Sequence, residues 1–249
     1  MAFTSEGTLV TDEREIAISE TWETQTDWEA YQSISGIEIT NGIIQLEEST
    51  LPIEGLLHHY DLSADSTTTS EVEDLAGSDN ITGSFSGLSN TINGVQTGQF
   101  QTGDSLSGDF SDTIDQPYIL FYVGEFVDNN SQQTIDDSGD NSLISRQYQN
   151  SGNPYQLNHG NNLNSGTCTE EPEIVRNVID GGDSGVWRNG NEQVTGNAGS
   201  NSLTDIVISR DGNFEGEFGE LLIYNPGASG YDTAAVESFL SDKWGITLE

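Results

Sequence analysis

Apolar and polar positions alternate along most of this chain in short runs separated by Gly, Asn, Asp and Ser. The stretch Gly36-Ile37-Glu38-Ile39-Thr40-Asn41-Gly42-Ile43-Ile44-Gln45-Leu46-Glu47 alternates on either side of an Asn-Gly step, which signals a β-hairpin. Pro52 follows and marks a boundary, after which Gly55-Leu56-Leu57-His58-His59-Tyr60-Asp61 reads as the first strand of a larger unit. Further strands are predicted at 81–85, 94–100, 118–126, 142–148, 174–179, 185–188, 203–209 and 217–224. One helix is predicted over 232–244. Asp232 is its N-cap, Val236, Phe239 and Leu240 share a face, and Gly245 stops it.

Many strands, short polar turns and a single helix predict an all-β sandwich, because an α/β fold needs repeated crossover helices. Two units are expected: a docking segment over 1–50, carrying the hairpin, and a sandwich over 51–249. Trp22, Trp28 and Tyr31 give the first unit more aromatic surface than a small hairpin buries by itself, so it is expected to pack on another protein.

Composition changes the picture of where such a sandwich lives. The chain has 42 acidic residues against 6 Lys plus Arg, a formal net charge of −36, with 33% hydrophobic residues. High charge with modest hydrophobicity also marks disorder. Here, however, the acids are scattered singly among strand-like apolar residues instead of forming blocks. In molar salt the Debye length falls to about 3 Å, which removes most of the self-repulsion of a compact state. Lys243 is the only lysine, and this bias resembles that of extremely halophilic archaea and their viruses.

The same charge excludes classes of partner. With so few cations, nucleic-acid binding through counterion release is not expected, nor is attraction to an anionic membrane. No run of 18 apolar residues is present, so membrane insertion is not expected either. Cys168 is the single cysteine and forms no intrachain disulfide, which leaves the fold to core packing and, on this reading, bound cations.

The ordered set Gly185-Val186-Trp187-Arg188-Asn189-Gly190, Ile208-Ser209-Arg210-Asp211-Gly212, Gly216-Glu217-Phe218-Gly219-Glu220-Leu221-Leu222-Ile223-Tyr224-Asn225 and Lys243-Trp244-Gly245 resembles the C-terminal half of concanavalin A-like, laminin G-type jelly rolls. With the opening strand at 55–61, the resemblance covers about 200 residues. It implies a jelly-roll sandwich with a lectin-like binding role. It does not extend through the Asn- and Ser-rich stretch 125–175.

Candidate chemistry is sparse. Glu215-x-Glu217-x-x-Glu220 resembles the carboxylate signature of retaining glucanases in that superfamily, but the non-catalytic jelly rolls also carry a Glu at the position of Glu220. The chain is therefore expected to be non-enzymatic. His58 and His59 are adjacent in a strand, point to opposite faces and cannot both hold one ion. Asp136, Asp137 and Asp140 offer hard oxygen ligands on a turn and are the candidate Ca2+ site. Tyr148, Tyr155, His159, Asn161 and Asn162 combine rings and amides in one loop-rich stretch and are the candidate ligand-binding residues. Together these features predict a virion attachment protein, such as a tail fibre, baseplate or surface spike. It would meet a host cell-surface glycan or glycoprotein, contact other virion proteins through its N-terminal segment and form a homo-oligomer. The alternatives are a ligand-free capsid decoration and a glycoside hydrolase using Glu215, Glu217 and Glu220.

Overall fold

The computed structural model describes residues 3–11, 14–22, 37–40, 43–46, 49–126, 132–136, 143–147, 155–165, 169, 171–209 and 214–249. The chain divides into two compact units, Met1–Thr50 and Leu51–Glu249. In the first, β1 (Phe3–Thr11) pairs antiparallel with β2 (Arg14–Trp22). There too β3 (Ile37–Thr40) pairs with β4 (Ile43–Leu46), setting Thr40 opposite Ile43 as the Asn-Gly step requires.

The second unit is an all-β sandwich with one C-terminal helix among the described residues, as the alternation predicted. Its strands are β5 (Leu56–Asp61), β6 (Glu71–Val72), β7 (Ile81–Ser84), β8 (Gly87–Ile92), β9 (Val95–Phe100) and β10 (Ser105–Ile114). These are followed by β11 (Tyr118–Phe126), β12 (Gln132–Asp136), β13 (Leu143–Gln147), β14 (Tyr155–Asn158) and β15 (Asn162–Ser165). The last are β16 (Glu173–Ile179), β17 (Ser184–Arg188), β18 (Asn191–Gly196), β19 (Leu203–Ile208) and β20 (Gly216–Tyr224), before helix α1 (Thr233–Trp244). One sheet runs β15-β14-β13-β12-β19-β10-β7-β6; the other runs β18-β17-β16-β11-β20-β9-β8, with β5 also pairing β20.

Two strands explain the layering. β10 buries Leu106, Phe110 and Ile114 and exposes most residues between them, the pattern of a strand with one face in water. All nine residues of β20 are buried, because its sheet is covered on both sides. Phe218, Leu221 and Ile223 face the inter-sheet core, and Leu222 and Tyr224 face the opposite way, under α1. The inner core is aromatic at its centre: Phe218 stacks on Tyr122 at 6.0 Å and meets Phe100 edge-on at 6.3 Å.

Helix α1 begins where Asp232 accepts hydrogen bonds from the backbone N–H groups of Ala234 and Ala235, at 2.9 and 3.4 Å. It ends at Gly245, whose φ of 63° is left-handed and whose N–H donates to the Ser241 carbonyl. Val236, Leu240 and Trp244 are buried on the sheet, whereas Phe239 is only partly buried. Trp244 packs against Gly219, where an added Cβ would come within 2.6 Å of the indole ring.

Phe218 has no exposed surface and holds the aromatic centre together. Phe218→Ala is expected to cost about 3–5 kcal/mol of unfolding free energy, measured by denaturant titration in concentrated KCl.

Candidate functional site

Strand β20 carries two glutamates on its outer face. A register shift opposite Val123 and Gly124 inserts one extra residue at this point of the ladder. Without that bulge, Glu217 and Glu220, three residues apart, would point to opposite faces. With it, both lie on the face that α1 partly covers, and the cover gives them different surroundings.

Glu220 is sealed under the helix with no exposed surface. One oxygen bonds the His59 Nε2 at 2.7 Å; the other accepts from Lys243 Nζ at 2.9 Å and Trp244 Nε1 at 2.7 Å. Lys243 also donates to Asp61 Oδ2 at 2.7 Å, and Asp61 stands directly opposite Glu220 in the β5–β20 register. Burial works against an ionised Asp61, but Lys243 overcomes it and holds the carboxyl below its usual range. His59, Asp61 and Glu220 are the one metal-like convergence of ligand atoms among the described residues. The Lys243 ammonium already fills its cationic role.

Glu217 is also buried, at 3% exposure, but it lines a cleft and its partners come from neighbouring strands. Its Oε2 accepts from Thr97 Oγ1 at 2.6 Å and from the Ser89 hydroxyl, and its Oε1 accepts from Gln99 Nε2 at 3.3 Å. Register places Glu125 of β11 on one side of Glu217 and Gln99 of β9 on the other, so the three form a row across neighbouring strands. Burial, followed by the charges of Glu217 and Glu171, pushes the Glu125 carboxyl above its ordinary pKa. Thr102 donates to Glu215 on the adjoining turn. A cleft of about 390 Å3 opens between Gln99–Thr102 and Glu215–Glu217. The expected trio is thus divided: Glu215 and Glu217 line the cleft, whereas Glu220 is a structural anchor. Glu125 takes the place of the second carboxylate beside Glu217. No spacing along the sequence reports it, because it arrives by strand pairing.

The loop residues expected to bind ligand do not form one surface. Tyr155 is buried in the inter-sheet core and its hydroxyl donates to buried Glu173. His159 is fully buried, edge-on to Tyr118 at 5.7 Å, and burial lowers its pKa to about 4, so it is neutral near pH 7. Strand alternation turns Tyr155, Leu157 and His159 inward together, which corrects the expectation that Tyr155 and His159 face a ligand. Asn161 and Asn162 are exposed, and they bond Asn197 and Asn158 respectively. Tyr148 lies outside the described residues, as do Asp137 and Asp140 of the expected Ca2+ site, while Asp136 ends β12.

No protein-family model matches the chain, and no curated relative is found. The sandwich is shared with solved structures. Trypanosoma rangeli sialidase aligns over 96% of this chain and 42% of its own, at 12% identity and a TM-score of 0.57. The same sialidase with the inhibitor DANA gives 11% identity, the same coverages and a TM-score of 0.58. Domain 4 of AbnA, a GH43 extracellular arabinanase from Geobacillus stearothermophilus, in complex with arabinotriose, aligns over 75% of this chain and 98% of its own, at 14% identity and a TM-score of 0.56. The chain spans less than half the length of the sialidase. These likenesses correct the expectation of a non-enzymatic chain. That expectation rested on the Glu that non-catalytic jelly rolls carry at the position of Glu220, whereas this fold also occurs inside enzymes of carbohydrate chemistry.

Two outcomes are expected. Lys243→Met leaves buried Glu220 and Asp61 without their cation and should lower unfolding free energy by about 3–5 kcal/mol in denaturant titrations, with Glu220→Gln restoring part of the loss. Because the pKa of His159 is depressed on folding, the unfolded chain binds its proton first as pH falls. Stability should therefore decline between about pH 6.5 and about pH 4, and less so in His159→Gln, as read by thermal unfolding across that range.

Proposed function

We propose that residues 51–249 are a carbohydrate-active module that seats a glycan in the cleft between Gln99–Thr102 and Glu215–Glu217. The observation that carries this reading is the row Glu125, Glu217 and Gln99 across three paired strands, of which Glu217 and Gln99 line that cleft and Glu125 stands beside Glu217. Carboxylate and amide oxygens accept hydrogen bonds from sugar hydroxyls, and the rigid strands hold them at fixed spacing. The likeness to an arabinotriose-bound arabinanase domain supports the ligand class. Because the row is acidic, a neutral glycan fits it better than an acidic sugar, whose carboxylate would meet like charge.

A second reading, hydrolysis at the same cleft, rests on Glu125. Glu125 stands directly opposite Glu217 and feels its charge, and retaining glycosidases likewise use two neighbouring carboxyl groups on one site. With its pKa raised, Glu125 is the group suited to keep a proton and give it to the glycosidic oxygen. As that bond breaks, Glu217 would bond to the anomeric carbon. Water, deprotonated by Glu125, would then displace Glu217 and release the sugar.

For the setting, we place the module on the surface of a halophilic archaeal virus particle in brine, docked through residues 1–50, repeated as a homo-oligomer and facing a host glycan or glycoprotein. The charge of −36 supports the brine. A Ca2+ ion at Asp136, Asp137 and Asp140 belongs to the same proposal.

The test is calorimetric titration of linear arabino-oligosaccharides and sialyl-oligosaccharides into the chain in about 3 M KCl, where non-specific charge attraction is screened. Neutral oligosaccharides should bind, and Gln99→Ala or Glu217→Gln should weaken them at least tenfold without loss of fold. If hydrolysis accompanies binding, Glu125→Gln and Glu217→Gln should each slow product release by about 100-fold or more. Absence of binding by every oligosaccharide would overturn the proposal.

A further inference from the structure

The chain's single lysine lies between two carboxylates that are held in different ways. Lys243 Nζ is 2.7 Å from Asp61 Oδ2 and 2.9 Å from Glu220 Oε2; Glu220 is fully buried and the other two side chains mostly so. The second oxygen of Asp61, Oδ1, accepts from the Ser63 backbone N–H at 2.8 Å and from the Ser63 hydroxyl at 2.6 Å. Lys243 thus bonds one oxygen of that carboxylate while two donors draw electron density onto the other. Glu220 is fixed from both ends, by His59 Nε2 at Oε1 and by Trp244 Nε1 at Oε2. The rings of Phe239 and Trp244 stand beside the amine, their centres 5.9 and 5.2 Å from Nζ.

This ion pair has the parts of an acyl-transfer site. Amide formation requires an amine held against a carboxyl group, donors on the oxygen that becomes the carbonyl, and a neighbouring group that carries protons. All three are present, and most of the surface of each group is kept from water. Burial opposes the charge on Asp61, and the bonds from Lys243 and Ser63 hold it ionised against that opposition. An amide carries no charge and removes the conflict.

We propose that Lys243 and Asp61 condense into an intramolecular isopeptide bond, with Glu220 as the proton carrier. One ammonium proton passes to Asp61 Oδ2, which leaves a neutral amine. Nζ then attacks Asp61 Cγ, and negative charge gathers on Oδ1 under the two Ser63 donors. Glu220 takes a second proton from Nζ and delivers it to Oδ2. The Nζ–Cγ bond has formed, the Cγ–Oδ2 bond breaks, water leaves, and Glu220 ends as it began; nothing is oxidised or reduced. The bond ties β5 to α1 and closes the chain from Asp61 to Lys243 into one covalent loop, in a sequence whose single cysteine allows no internal disulfide. It asks nothing of the cleft at Glu217, so this inference and the glycan reading stand or fall separately.

The experiment is intact-mass spectrometry of the whole chain, folded in concentrated KCl and then denatured, followed by digestion and fragment-ion sequencing. The wild type should weigh one water less than its sequence, and a peptide containing Asp61 should be found joined to one containing Lys243. Lys243→Arg keeps the cation but lacks the reactive amine and should have its full sequence mass. Glu220→Gln cannot take the proton and should leave most of the chain uncondensed. If Glu220→Gln fails to fold, the wild type and Lys243→Arg decide. A wild type at full mass, a loss of water that persists in Lys243→Arg, or a digest without the joined peptide would overturn the proposal.

Discussion

The buried carboxylate of Glu220 is the constraint on which the sandwich turns. It joins β5 through His59 and α1 through Lys243 and Trp244, and it sits on β20, whose partners are β11, β9 and β5. An unpaired charge in that position would be strongly unfavourable, so the chain spends its single lysine there. Gly219 lets Trp244 lie directly on the strand, and the helix is thereby fixed in height along β20. Where the helix stops covering the sheet, the same strand presents Glu217 to a cleft. Cover and opening follow from one anchor.

The acidic surplus is handled by the same logic throughout. Acids that are buried have partners: Glu217 has two hydroxyls and an amide, Asp74 has His58 and backbone N–H groups, and Glu173 has Tyr155 and Thr169. Burial raises the Glu173 pKa, against those hydrogen bonds, whereas the bonds to Asp74 outweigh its burial and hold it down at about 2. Most other described acids lie at the surface, where concentrated salt screens them. The apolar core is left to do its usual work between the sheets.

Much of the fold was legible because covered strands are rich in apolar residues. Residues 118–124 and Gly216–Tyr224 are buried on both faces and stand out in the sequence, and α1 announces itself by Asp232 and Gly245. β10 was not legible: with one face in water and a register shift after Asp109, it offers only Leu106, Phe110 and Ile114 among turn-forming residues. β18 is mostly polar for the same reason of exposure. At the site, Glu215 and Glu217 could be picked out by local spacing, but Glu125 could not, since only pairing brings it to Glu217. Polar composition around 155–162 suggested a binding loop; alternation within the β14–β15 hairpin instead sends Tyr155 and His159 into the core. Glu220, named only in the hydrolase alternative, is removed from it by a helix 12 residues long that closes over it, which local spacing in the sequence does not reveal.

What unites these parts is a rigid, acidic, acceptor-rich row on a sheet face in a fold shared with pieces of carbohydrate-acting enzymes. The measurement that bears on it most directly is mapping of backbone and side-chain NMR shifts as a neutral oligosaccharide is added in concentrated KCl. The account predicts saturable changes concentrated at Gln99–Thr102, Glu125 and Glu215–Glu217. Changes confined to the exposed asparagines near 161–162, or no saturable change at all, would contradict it.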